Sequence, residues 1–189
     1  MNADELKTEG LRLFQAGAYD EAVATFETAV TAYKTTGDIA GQGEMLNNIG
    51  VIRRLQGKRE PAQTALTEAA ALFVQVGDRN RQAQALGNLG DLYAAKDRTE
   101  AARYYSDAAQ LFAEDGDREK QSQVLRALSL MRLRQGRFVE AMQRMEESLA
   151  ARPRLGVFPR IFRSLLRFAL KLFGVRSLST TVQGHKFHS

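Results

Sequence analysis

Apolar and polar positions over the first three-quarters of the chain recur with the spacing of amphipathic helices rather than strands. In Met45-Leu46-Asn47-Asn48-Ile49-Gly50-Val51-Ile52 the apolar residues fall three and four apart, and the stretch from Glu21 to Val30 behaves likewise. The pattern is also periodic at long range. Gly37-Asp38, Gly77-Asp78 and Gly116-Asp117 recur at spacings of 40 and 39 residues. Gly10, Gly50, Gly90 and Ser129 hold a second register. Gly17, Gly57, Asp97 and Gly136 follow these by seven residues, and Ala22, Ala62, Ala102 and Ala141 by twelve. Agreement of several registers over four copies predicts an array of four helical hairpins.

Each hairpin is expected to hold an A helix and a B helix whose small Gly and Ala positions permit close approach. Phe26, Leu66, Tyr105 and Met145 are then expected to fill the gap between them. Gly37, Gly77 and Gly116 suit the left-handed residue that ends a helix. Asp38, Asp78 and Asp117 suit the cap of the next helix, and Asn2 or Asp4 that of the first. The third copy is one residue short, so Ala101 and Ala102 compete for one position.

These residues resemble the tetratricopeptide repeat family, whose pattern is a small residue in helix A, an aromatic three later, a turn Gly, then Ala and Phe in helix B. Asn88-Leu89-Gly90-Asp91-Leu92-Tyr93 and Gly17-Ala18-Tyr19-Asp20-Glu21-Ala22 carry the match. The forty-residue period is similar to the longer repeats of kinesin light chains. Arg53 and Arg132 depart from the aromatic position, and only the fourth copy ends on the family's Pro, Pro153. The resemblance implies an all-α fold, a right-handed α-solenoid of four hairpins over residues 1–152, with repeats at about 3–38, 39–78, 79–117 and 118–152.

It also implies a groove on the concave face of the A helices. The positions pointing into it would include Asn47, Asn48, Arg54, Asn88, Asp91 and Arg126, with Lys7, Leu11, Phe14, Val51, Ala94, Leu130 and Leu133 in the same registers. A side-chain amide both donates and accepts, so the Asn residues suit the backbone of an extended peptide. Arg54 and Arg126 suit a carboxylate on it. Phe14, Leu130 and Leu133 suit end packing.

Composition narrows the chemistry. There is no Cys, which removes disulfides and thiolate sites, and the two His lie near the end, at His185 and His188. No phosphate-binding loop, dinucleotide fingerprint, zinc helix or nucleophile elbow is present, so a non-enzymatic protein without cofactor or metal is expected. Met1 to Lys7 carries two acids and no apolar run, so a cytoplasmic protein without a leader is expected.

Charge divides the chain. All 22 Asp+Glu lie in residues 1–147, where 19 Lys+Arg leave a net −3; residues 148–189 hold eight Lys+Arg and no acid. After an expected linker at 153–158, Arg160, Arg163, Arg167 and Lys171 form a narrow stripe on an expected helix at 159–176. The apolar arc, with Phe162, Phe168 and Phe173, covers about 220° of that helix. At about 22 Å its apolar part is too short to span a bilayer, and the central charges cost more than the apolar residues return.

Two readings stay open. The helix caps the end of the array, or it lies in an anionic membrane interface with its basic stripe at the headgroups. Greasy residues between the Arg argue against nucleic acid. Residues 177–189 are expected to be disordered. Function is therefore expected to be that of a scaffold binding a protein or peptide partner. The alternatives are a membrane-surface adaptor, peripheral at the membrane, or a regulatory subunit of a larger complex. Oligomeric state is not encoded in the pattern.

Overall fold

The computed structural model describes residues 1–152 and 154–174; Pro153 of the expected linker and the tail expected at 177–189 lie outside them. The described residues form helices without strands. Four antiparallel pairs stack in chain order: α1 (Ala3–Gln15) with α2 (Tyr19–Thr36), α3 (Ile39–Leu55) with α4 (Arg59–Gln75), α5 (Arg79–Tyr93) with α6 (Arg98–Asp115), and α7 (Arg118–Arg134) with α8 (Phe138–Ala151). A last helix, α9 (Val157–Leu172), follows. Each helix packs mainly on its neighbours in sequence, the arrangement of a repeat solenoid.

The small residues of the A helices explain how the pairs close. A Cβ on Gly10 would lie 2.5 Å from the Phe26 ring, one on Gly50 2.5 Å from Leu66 Cγ, and one on Gly90 2.6 Å from the Tyr105 ring. The B-helix side chain thus rests directly on the A-helix backbone. In the fourth pair Ser129 holds this place, and its hydroxyl donates to the Ala141 carbonyl at 2.7 Å. A buried hydroxyl is tolerated there because its partner is fixed at the same close approach.

Connections between pairs follow the expected chemistry. Gly37, Gly77 and Gly116 all have φ between 70° and 80°, a region that other residues enter only at a cost. The next residues, Asp38, Asp78 and Asp117, accept from the backbone N–H of Gly41, Arg81 and Lys120 at 2.8–3.0 Å. The Lys120 backbone N–H holds the Asp117 carboxyl below its usual pKa. At Asp78 burial works the other way, but bonds from Arg81 prevail and the pKa is again lowered. Asn2 and Glu5 close a reciprocal capping box on α1.

One register needs correction. Gly17, Gly57 and Gly136 have positive φ in the turns within their pairs, but Asp97 is not their counterpart. Asp97 is the cap of α6, accepting from Thr99 and Glu100 N–H at 3.0 Å each. The residue missing from the third copy is lost from the α5–α6 turn, where Tyr93 C=O takes the N–H of both Lys96 and Asp97. Ala101, bonded to the Asp97 carbonyl as Ala22 is to Ala18, therefore holds the place assigned to Ala102. The other B helices lack a side-chain cap, so the shortened turn coincides with the one capping carboxylate among them.

Helix α9 begins at Val157, two residues ahead of the expected Pro159. Pro159 fits the first turn because no intrahelical bond is asked of its nitrogen. Gly174, at φ 70°, follows its end. α9 rests on the array through α8 alone to any extent. Residues 1–152 are accordingly expected to fold without it. A 1–152 truncation should show helical circular dichroism and a cooperative melt; an unstructured fragment would make α9 part of the core.

Candidate partner-binding face

The A helices α1, α3, α5 and α7 lie along one side of the stack. α3 also touches α5 directly, which no B-helix pair does to the same extent, so the A helices approach one another more closely here than the B helices do.

Side chains cross-link the A helices here. The Asn88 amide donates to Asn47 Oδ1 at 2.9 Å, tying α5 to α3. Nearer the other end of these helices, Arg54 Nη2 lies 3.8 Å from Asp91 Oδ2, while Asp91 Oδ1 accepts from the Tyr105 hydroxyl at 2.6 Å. Burial and this bond raise the Tyr105 pKa, so its phenol stays protonated and remains a donor. Arg54 Nε is buried and has no hydrogen-bond partner among the described residues. An unpaired buried donor on a guanidinium is costly.

Of the residues singled out by sequence, Asn47 meets Asn88, and Arg54 meets Asp91. Asn48 is half-buried on α3, with no side-chain hydrogen bond among the described residues. Arg126 is exposed on α7, unpaired among the described residues. Leu130 and Leu133 are about half exposed, while Phe14 is half-buried against Tyr19, with ring centroids 5.9 Å apart.

Two further features of this face lie at positions that the repeat pattern does not mark. Glu44 on α3 lies between Lys7 at 2.6 Å and Arg81 at 3.7 Å, linking three successive A helices. Glu44 shares a forty-residue register with Asp4, which was available as a signal. Gly87 occupies the register of Lys7, Asn47 and Arg126, yet nothing lies within 4 Å of where its Cβ would be. Unlike Gly50 or Gly90, it answers no packing need inside the chain. It leaves the α5 backbone bare beside the Asn47–Asn88 bridge.

The described residues contain no group of three or more His, Cys, Asp or Glu placed to hold a metal ion. Arg53, at the family's aromatic position, reaches Asp20 and Glu27 at 3.7 Å each. In the next copy Tyr93 receives the Arg59 guanidinium 4.6 Å above its ring. Both bind an A helix to a neighbouring B helix, one by charge and one by an aromatic face.

On α9, Leu166 and Leu170 are buried against the array. Arg163 Nε donates to Glu146 Oε1 at 2.9 Å, and Arg167 Nε lies 3.8 Å from the same oxygen. The expected basic stripe is therefore divided: two of its members turn to α8, while Arg160 and Lys171 make no ion pair among the described residues. Phe162, Phe168 and Phe173 are 49%, 64% and 63% exposed.

No curated protein matches the sequence. Among solved structures, the crystal structure of BtubC (BKLC) from P. vanneervenii superposes with a TM-score of 0.70 at 20% identity, covering 82% of this chain and 68% of that one. The sequence pattern of the tetratricopeptide repeat matches residues 41–111 and 81–154. With the glycine-seated hairpins, the capped forty-residue period and this match, the chain belongs to the tetratricopeptide repeat family.

Proposed function

We propose that the array is a non-enzymatic scaffold that binds a partner protein as an extended segment laid across the common face of its A helices. Tetratricopeptide arrays serve protein–protein interaction, and their fold is generally non-catalytic. The observation that carries the finer reading is the bare stretch of α5 backbone at Gly87, next to the Asn47–Asn88 bridge and on the helix that carries Asp91. An extended chain presents an N–H and a C=O at each residue, and amides that both donate and accept can follow either. Arg54, whose guanidinium lies 3.8 Å from Asp91, supplies a half-buried cation for a carboxylate on that segment. The partner best suited is thus a segment with an acidic side chain near one end.

Substitutions on this face separate binding from folding. Gly87→Gln places a side chain in open space, so it should leave the melt no lower, and slightly raised by the better helix propensity of Gln, while blocking the segment. Asn88→Ala should weaken binding by about 0.5–1.5 kcal/mol per hydrogen bond lost. The test is affinity capture on full-length protein with mass spectrometry, the captured proteins then being titrated against both variants. Binding that survives Gly87→Gln unchanged would place the partner on another surface.

A further inference from the structure

We infer that the outward face of α9 is a docking surface for an anionic membrane, a role separate from partner capture by the A helices. The helix spends only a narrow strip on the array, at Leu166 and Leu170. At 100° per residue, Phe158, Ile161, Leu165, Phe168 and Leu172 fall within about 80° of one another on the far side. They are 84%, 54%, 61%, 64% and 72% exposed. A cap needs no such face, and an apolar strip of this kind left in water marks an interaction site. Phe173 borders an open cleft of about 520 Å³ lined by Phe138, Val139 and Met142 together with the charged pair Arg137 and Glu140.

Charge selects the occupant. Arg160 and Lys171 lie on the flank next to Phe168 and Ile161, where no carboxylate pairs with them among the described residues. From residue 148 onward the chain contains no acid, while residues 1–147 carry a net −3. A second copy meeting this face by symmetry would bring like charges together with nothing in the segment to offset them. An anionic lipid surface offsets them directly, and its acyl boundary accepts a strip made wholly of large apolar side chains.

The same charge division orients the molecule. The surface attracts α9 and repels the array, so α9 lies flat with the hairpins turned away. No described helix is long and apolar enough to cross a membrane. The Glu146 carboxylate retains Arg163 and Arg167 on the array side, which leaves the apolar strip facing outward while α9 stays docked on α8.

Vesicle flotation of the full-length protein tests this, with phosphatidylcholine vesicles alone or containing phosphatidylserine. The protein should float with the anionic vesicles and stay behind with the neutral ones. Ile161→Ser/Leu165→Ser/Phe168→Ser should abolish flotation while leaving the melting midpoint unchanged, since these side chains are already exposed. Arg160→Gln/Lys171→Gln should weaken binding about fivefold per base removed, and added salt should weaken that of the parent. Three results would overturn the inference: protein that stays soluble with both vesicles, a triple-serine variant that floats like the parent, or a lipid-free dimer that the triple variant converts to monomer.

Discussion

Phe73→Ala should lower the stability of the array by about 3–5 kcal/mol, the loss typical of a buried phenylalanine that cannot be refilled. Phe73 is 1% exposed and lies in the middle of the stack. Its ring rests on the α3 backbone at Gly43, where an added Cβ would come within 2.8 Å, and it clusters with Ala69 of α4 and Ala85 of α5. Gly43, Ala69 and Ala85 are too short to fill the cavity, Leu46 already packs on this cluster, and the Arg81 guanidinium over the ring at 5.3 Å would lose its aromatic face without replacing the lost volume. The consequence goes beyond the local loss. In a one-dimensional array the two halves are coupled only through the pairs between them, and α4 is the B helix that joins α3 to α5. Urea unfolding followed by far-ultraviolet circular dichroism should therefore show a lower midpoint and a broader transition. A midpoint shift worth under about 1 kcal/mol would mean that the site collapses around the alanine.

Two glycines on neighbouring A helices should respond to alanine with opposite sign. Gly50→Ala is expected to destabilise by about 1–3 kcal/mol, because overpacking outweighs the helix-propensity gain. The new Cβ would lie 2.5 Å from Leu66 Cγ and 3.3 Å from the Ala62 carbonyl oxygen. Leu66 is fully buried, and its Cγ is too close to its own backbone to move aside. Gly87→Ala meets nothing and should stabilise by about 0.5–1 kcal/mol, the usual advantage of Ala over Gly inside a helix. Denaturation midpoints of the two variants give the comparison. Gly50→Ala with Leu66→Ala should cost less than the two single changes together, since the pair shares one contact. If Gly87→Ala also destabilised, something in the chain would need that gap, and the case for a bare backbone kept for a partner would weaken.

Much of the architecture was legible in the sequence because each of its devices is local. A left-handed glycine followed by a capping aspartate requires only neighbouring residues, so Gly37-Asp38, Gly77-Asp78 and Gly116-Asp117 marked the joints between hairpins. The forty-residue register then paired Gly10 with Phe26 and Gly50 with Leu66, since in a solenoid every pair repeats the same contact. The missing residue of the third copy was visible only as a choice between Ala101 and Ala102. Its resolution depended on whether Asp97 caps a helix or fills a turn, which backbone hydrogen bonds decide.

The functional face was legible by register and opaque in its pairings. Position alone placed Asn47, Asn88, Arg54 and Asp91 on the A helices. That Asn88 binds Asn47, that Arg54 is left with an unpartnered Nε beside Asp91, and that Glu44 links Lys7 to Arg81 depends on the distance and rotation between successive hairpins. Gly87 is indistinct in sequence for a related reason: it is a glycine like Gly50 and Gly90, and only tertiary packing shows that those two are filled and this one is bare. On α9 the sequence by itself determined an amphipathic helix with a basic stripe and an acid-free surround, because helical periodicity and charge are properties of the segment. Which strip faces the array was decided by the tertiary structure alone. Glu146, on another helix and buried, selects Arg163 and Arg167 over Arg160 and Lys171, and that choice turns Phe158, Leu165 and Phe168 towards water.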